Sequence, residues 1–198
     1  RFNELSYWTD LAQTLEQGLF DGLFLADITG VYDVYQGNLD LTLKESIQLP
    51  GHDPSTLVSA MAAVTQHLGF GVTVNLSYEP PYQFARRFAS LDHLTQGRIG
   101  WNIVTGYLDS AERLIGQKGL KDHDQRYEQA EEFLELCYKF WEGSWQEDAV
   151  RKDKQQRIFT DPAKVHQIQH AGKYYQSQGV FQVSPSVQRT PVLFQAGA

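Results

Sequence analysis

Apolar residues recur at three- and four-residue spacings over residues 4–19, where Leu5, Trp8, Leu11, Ala12, Leu15 and Leu19 mark one face of a helix. Gly18 and Gly22 bracket its end. The continuous run Leu23-Phe24-Leu25-Ala26, stopped by Asp27, then predicts a strand buried on both faces. Asp53 as N-cap and Pro54 open a second helix striped by Leu57, Val58, Met61, Val64 and Leu68, and a strand follows at 70–76. Pro80-Pro81 breaks the chain before a third helix with Phe84, Phe88, Leu91 and Leu94 on its apolar face; Gly97 ends it, and 99–105 reads as a strand. Over 123–141, Tyr127, Ala130, Phe133, Leu134, Cys137 and Trp141 lie on one side and Glu128, Glu131, Glu132, Glu135 and Lys139 on the other, which predicts a surface-covering helix. The pattern is lost over 143–189. Pro191-Val192-Leu193-Phe194-Gln195 supplies one more buried strand.

Strands that alternate with helices imply right-handed crossovers and a parallel sheet, either an open doubly wound sheet or a (β/α)8 barrel. The pattern yields four strands and four helices, whereas a closed barrel needs eight of each and roughly 250 residues. The chain opens on a helix and closes on a strand without its helix, so both ends read as cut. The expected organisation is a single incomplete barrel domain over 1–198, with 28–52 and 143–189 as insertions within it. Loops longer than roughly 12–15 residues usually carry function or move.

Composition narrows the chemistry. The 24 acidic residues against 17 Lys and Arg give a net charge of −7 across 198 residues, which argues against a nucleic-acid or anionic-membrane surface. No apolar stretch approaches the roughly 20 residues of a membrane span and no secretory leader opens the chain, so it reads as soluble and cytoplasmic. The single cysteine, Cys137, excludes an intrachain disulfide framework and any multi-cysteine metal site. Redox chemistry therefore needs a borrowed cofactor.

The sequence contains no G-x-G-x-x-G, no G-x-x-x-x-G-K-[ST] and no G-x-S-x-G. What remains are polar residues at the carboxyl ends of buried strands, where parallel α/β folds place their ligands: Asp27, then Thr73 and Asn75, then Asn102 and Thr105. On these residues alone, Thr73 and Asn102 read equally as buried polar groups that satisfy backbone, Asp27 as a turn or cap, and His123 and Tyr127 as helix-start and packing residues.

Several segments resemble the flavin-dependent monooxygenases of the bacterial luciferase-like superfamily. The run Ala85-Arg86-Arg87-Phe88-Ala89-Ser90-Leu91-Asp92-His93-Leu94-Thr95-Gln96-Gly97-Arg98 is similar to the superfamily signature A-x-x-x-A-x-L-D-x-L-[ST]-x-G-R. The continuation Trp101-Asn102-Ile103-Val104-Thr105 and the opening Phe20-Asp21-Gly22-Leu23-Phe24-Leu25-Ala26-Asp27 narrow the resemblance, as do His123 and Tyr127 within H-D-x-R-Y-x-x-A-x-E-F. They point to the nitrilotriacetate, dibenzothiophene-sulfone and long-chain-alkane monooxygenase branch. The likeness extends through Asp161-Pro162-Ala163-Lys164-Val165-His166 to the closing Gln195-Ala196-Gly197.

The resemblance implies a (β/α)8 TIM barrel of the luciferase-like type, of which this chain supplies about strands two to five. It implies FMN, delivered reduced by a separate, transiently bound flavin reductase, and O2 as co-substrate. The substrate is a small organic molecule of the amine, sulfur-compound or alkane class, and the assembly a homodimer or higher oligomer. Carried over residue by residue, it makes Asp27, Thr73, Asn102, His123 and Tyr127 the flavin-contacting positions and singles out no catalytic residue. The resemblance also implies a serine for the flavin phosphate just beyond the Gln195-Ala196-Gly197 segment. The alternative from another class is a non-catalytic flavin-binding or structural subunit of the same fold.

A reactive oxygenated flavin survives only where water is excluded, so a lid is expected. Tyr32, Tyr35, Leu39, Leu41 and Leu43 give 28–52 the content for one, or for a packed surface excursion. His166 and His170 lack an accompanying H-E-x-x-H carboxylate and predict no metal site. Cys137, between Phe133 and Trp141, reads as a buried structural thiol, and Trp141 and Trp145 as a cap on the core.

Overall fold

The structure, a computed structural model, describes residues 1–196, so Gly197 of the closing segment lies outside the described residues. The chain begins with α1 (Leu5–Gln17), β1 (Gly22–Leu25), a short α2 (Asp40–Lys44), α3 (Ser55–Ala63) and β2 (Gly69–Asn75). It continues through α4 (Pro81–Thr95), β3 (Ile99–Val104), α5 (Asp109–Leu114) and α6 (His123–Tyr138). The last stretch contains β4 (Val150–Asp153), β5 (Ile158–Thr160), β6 (Ile168–Ala171), β7 (Gln176–Gly179) and β8 (Val192–Phe194).

Four strands form one parallel sheet in the order β1-β2-β3-β8. Register sorts their side chains onto two faces. Thr73 pairs with Asn102 and Asn102 with Phe194, so these three share the inner face with Phe24, Gly71 and Gly100. The opposite face carries Phe70, Val72 and Trp101, all at most 2% exposed, against the helices. Trp101 anchors that layer: its ring centroid lies 4.2 Å from Phe84, and its indole N–H donates to the Val74 carbonyl at 3.0 Å. Removing such a side chain costs about 3–5 kcal/mol.

The helices end where the sequence punctuates them. Pro81 occupies the first turn of α4, where its missing N–H leaves nothing unpaired, and Gln96 (φ 56°) and Gly97 (φ 83°) turn left-handed beyond its end. Pro54 takes the N-cap place of α3 expected for Asp53, whose carboxylate, one residue further out, accepts the Ser55 N–H at 2.9 Å. α6 runs on into a π-helical turn, Lys139–Gly143, that carries Phe140 and Trp141 into the core. Among the described residues no helix is long and apolar enough to cross a membrane.

Several expectations need correction. β1 and β8 are not buried on both faces: Phe24 is 53% exposed and Phe194 is 42% exposed, their rings edge to face at 6.2 Å. Both lie on the inner face, which no described helix covers. α3 stops at Ala63, leaving Val64 exposed while Leu68 is buried from the following turn. Leu94 is exposed on the last turn of α4, where Leu91 faces the core instead.

The acidic face of α6 is not uniformly solvated either. Glu132 accepts the N–H groups of Tyr174 and Tyr175 at 2.9 and 2.7 Å, and His170 Nε2 lies 3.1 Å from it. His170 Nδ1 meets Lys139 Nζ at 3.0 Å. These bonds dock a β6–β7 hairpin, one of two hairpins within a segment whose hydropathy announces none.

Candidate functional site at the carboxyl ends of the strands

Asp27, Thr73 and Asn102 stand on β1, β2 and β3 or just beyond them, as parallel pairing of consecutive strands requires. Thr73 and Asn102 are brought into direct contact, with Asn102 Nδ2 donating to Thr73 Oγ1 at 3.0 Å. Both are nearly buried, at 4% and 6% exposure. Their mutual bond uses one acceptor and one donor. Among the described residues no further hydrogen bond occupies the Thr73 hydroxyl proton or the Asn102 Oδ1. A donor and an acceptor side by side on neighbouring strands match the alternating edge of a pyrimidine-like ring.

Asp27 is half-buried beyond β1. Burial, reinforced by the negative charge of Asp53, raises its carboxyl above the ordinary value, and the Ile28 N–H opposes the shift. It lines a recess of about 720 Å3 together with Phe2, Trp8, His52 and Asp53. It also borders a hollow of about 80 Å3 shared with Asn75, Val104, Gly106 and Tyr107, linking the ends of β1, β2 and β3. A separate hollow of about 510 Å3, around Phe24, Gly100 and Phe194, opens toward the amino ends of the strands and contains none of the five predicted positions.

His123 and Tyr127 are together, apart from the other three. One turn apart on α6, their rings lie 4.5 Å apart at a tilt of 32°. Tyr127 is 46% exposed, and His123 Nδ1 lies 3.0 Å from Asp124. No hydrogen bond joins this pair to Thr73 or Asn102 among the described residues.

A further cluster of polar groups lies outside the five predicted positions, around Tyr78, Asn75 and Glu112. The Tyr78 hydroxyl is sealed from solvent without a well-aligned partner. Burial and the neighbouring Glu112 carboxylate push this phenol up to about 12, while Asn75 and the more distant Arg126 charge act against them. Gly106 (φ 78°) makes room, because a Cβ there would stand 2.5 Å from Asn75 Nδ2 and 2.7 Å from the Tyr78 hydroxyl. Arg126 lies between His123 and Tyr127 in sequence, donates to the Lys121 carbonyl at 2.7 Å and keeps a buried Nε without a partner. That cation suits an anionic group near α6. The signal for Asn75 and Arg126 was present in the sequence, at a strand end and within the helix-start motif. Nothing there marks Glu112, whose burial depends on α5.

The chain matches the family model described as luciferase-like monooxygenase over residues 3–198. It is 54% identical over 197 residues to the long-chain alkane monooxygenase of Geobacillus thermodenitrificans (strain NG80-2), covering 100% of this chain and 45% of that protein. It is also 54% identical to the dimethyl-sulfide monooxygenase of Hyphomicrobium sulfonivorans, covering 100% of this chain and 41% of that protein. A crystal structure of riboflavin lyase with modified FMN and riboflavin superimposes with a TM-score of 0.92 at 47% identity, over 98% of this chain and 43% of that one. The chain thus spans less than half the length of the curated relatives it matches.

Proposed function

Because the chain belongs to the luciferase-like monooxygenase family, we propose that it forms part of an FMN-dependent monooxygenase that oxygenates a small organic substrate with O2. The reduced FMN comes from a separate reductase that binds only transiently. The observation that supports this reading best is the Thr73–Asn102 pair, two register partners with an unused donor and an unused acceptor on the inner face of the sheet.

In this reading Thr73 and Asn102 orient the polar edge of the isoalloxazine, and Asp27 receives a hydrogen bond or donates one, according to its protonation. His123 and Tyr127 offer an imidazole and a phenol to the ribityl-phosphate end, with Arg126 as the counter-charge. Bound reduced flavin supplies the electrons that activate oxygen. The chain's own residues bind and orient it, and the loops after β1 and β3 keep water from it.

The substrate belongs to the amine, sulfur-compound or alkane class. The protein is a soluble cytoplasmic homodimer or higher oligomer, and residues 1–198 are one incomplete barrel domain with 28–52 and 143–189 as insertions.

The test is a titration of this chain, beside a version extended to the length of its relatives, with oxidised and reduced FMN, read by flavin fluorescence. Thr73→Val and Asn102→Ala are each expected to weaken binding by about five- to tenfold, the range of one lost hydrogen bond. Tyr127→Phe is expected to weaken it less. If neither version binds flavin in either redox state, or both strand variants bind like the parent, the reading fails.

A further inference from the structure

Just past Asp27, the backbone is held by a residue 79 positions away. The Ser110 hydroxyl, in a residue only 4% exposed on α5, accepts the Val31 N–H at 3.0 Å and donates to the Val31 carbonyl at 2.6 Å. One oxygen thereby satisfies both polar groups of a single loop residue. Gly30 permits this approach. Its φ is +106°, and a Cβ there would stand 2.9 Å from both Ser110 Oγ and the Ala111 nitrogen.

The residues that follow are tied to the same two loops. The buried Thr42 hydroxyl donates to the Tyr32 carbonyl at 2.5 Å, the Tyr32 and Tyr107 hydroxyls lie 2.6 Å apart, and Asp33 pairs with Arg113. The hydrogen bond with Tyr32 is also the main cause that pushes the Tyr107 phenol up to about 12, as expected if Tyr107 is the donor. Residues 30–33 are thus a strap fastened to the β3–α5 loop and to α5 itself. They are not a free flap.

We propose that Ser110 is a positioning residue for Asp27. Its hydroxyl fastens the strap onto α5 and so sets where the Asp27 carboxyl stands at the carboxyl end of the sheet. The inference deepens the flavin-site reading above and rests on it for its functional meaning. Asp27 lies only four residues before Val31, and the one hydrogen bond to its carboxyl among the described residues comes from the neighbouring Ile28 N–H, so its place follows the path of this loop. The charged group that faces Asp27 is Asp53, and His52 lines the same recess. A strap released from α5 lets the Asp27 carboxyl move into water and away from both.

The test follows the Asp27 carboxyl by NMR through a pH titration of the parent chain, Ser110→Ala and Ser110→Thr. In the parent it titrates above the ordinary aspartate value. In Ser110→Ala the midpoint falls toward that value, and in Ser110→Thr, which keeps the hydroxyl, it returns. A mere loss of global stability would not move this midpoint.

In the flavin-binding form, Ser110→Ala is expected to raise the FMN dissociation constant about tenfold, matched by Asp27→Asn. If Asp27→Asn weakens FMN but Ser110→Ala changes neither the titration nor the affinity, the positioning role is refuted and the flavin reading survives. If the titration shifts while Asp27→Asn leaves FMN affinity unchanged, the strap is real and the flavin role of Asp27 falls. Hydrogen exchange of the Val31 amide in the parent chain needs no variant, and exchange as fast as that of an exposed loop amide overturns the proposal.

Discussion

Arg98 sits in the most conspicuous motif of the sequence, yet it touches none of the proposed flavin positions. Its guanidinium donates to the carbonyls of Thr95 (2.8 Å), Leu68 (2.8 Å), Ala62 (3.0 Å) and Thr65 (3.2 Å) and to the Thr65 hydroxyl (2.9 Å). The partners are the ends of α3 and α4 and the residue before β2. No ion pair holds it among the described residues. Burial lowers its pKa, and the Glu16 charge partly restores it.

Replacing Arg98 by Met keeps an apolar stem but removes all of these donors, together with the guanidinium whose carbon lies 5.6 Å from the Phe70 ring centroid. The site is only half-buried, so water recovers some of the carbonyls, and the net loss is about 3–4 kcal/mol rather than the full value of each charged bond. Lysine, with three donors on a single atom, cannot span the same fan of carbonyls and is expected to lose about 1–2 kcal/mol. With a urea m-value of about 2 kcal/mol/M, the midpoint drops by about 1.5–2 M for Arg98→Met and 0.5–1 M for Arg98→Lys. FMN affinity of the folded molecules should be unchanged, because Arg98 lies at the amino end of β3. A midpoint for Arg98→Met within about 0.3 M of the parent refutes the clamp as a source of stability.

Two further outcomes follow from the same kind of bonding. The Glu16 carboxylate accepts the N–H groups of His67 (2.5 Å), Leu68 (2.9 Å) and Gln66 (2.9 Å), which hold its pKa below the ordinary carboxylate value. Because the folded value is depressed, the stabilisation is complete above about 4.5 and is lost as pH falls through the folded value. The gap in Tm between parent and Glu16→Gln should be constant from pH 7 to about pH 5 and close on further acidification; a constant gap across the range contradicts the assignment. Cys137 is fully buried and burial pushes its thiol well up, so it should react with an aromatic disulfide reagent only at the rate of unfolding. Labelling at the rate of a free thiol in native buffer would show that the α6 core opens locally.

The sheet was legible because its outer face is built from long apolar residues that only burial explains. Phe70, Val72 and Trp101 alternate with glycine and small polar residues, and the helices that cover them repeat every three or four positions. The inner face was misread because continuous apolar runs say nothing about which side is covered. Phe24 and Phe194 look the same in sequence whether or not another element packs on them. The β6–β7 hairpin was invisible for a different reason: Gln, Ser and His carry no alternation, and the hairpin is held at His170 by Glu132 of α6 and by Lys139 of the turn after it, 38 and 31 residues away. Of the site, the strand-end positions could be read from their place after apolar runs. Tyr78 and Ser110 could not, because Tyr78 is set by Glu112 of α5 and Ser110 stands on α5 itself, a helix of six residues too short to show a period.

The two ends of the sheet differ in how fully their polar side chains are used. At the amino end, Arg98 and Glu16 satisfy backbone groups at almost every donor or acceptor, and Asp92, fully buried, accepts both the backbone and side-chain N–H groups of Gln188. These residues have nothing left to offer a ligand; their energy goes into fastening the loops that start each strand. At the carboxyl end the balance reverses. Thr73 and Asn102 retain an unused donor and acceptor, Tyr78 an unpartnered hydroxyl, Arg126 an unpartnered Nε, and Asp27 a carboxyl with a raised pKa. Arg87 Nε on α4 and Ser186 Oγ before β8 are also buried without a partner, but only at the carboxyl end do several such groups gather, and each buried unpaired group that a ligand completes recovers about 1–3 kcal/mol. It follows that flavin should raise Tm most strongly in the parent and least in Thr73→Val, whereas Arg98→Met should lower Tm equally with and without ligand. If ligand stabilises the two variants alike, the division of labour between the two ends of the strands is wrong.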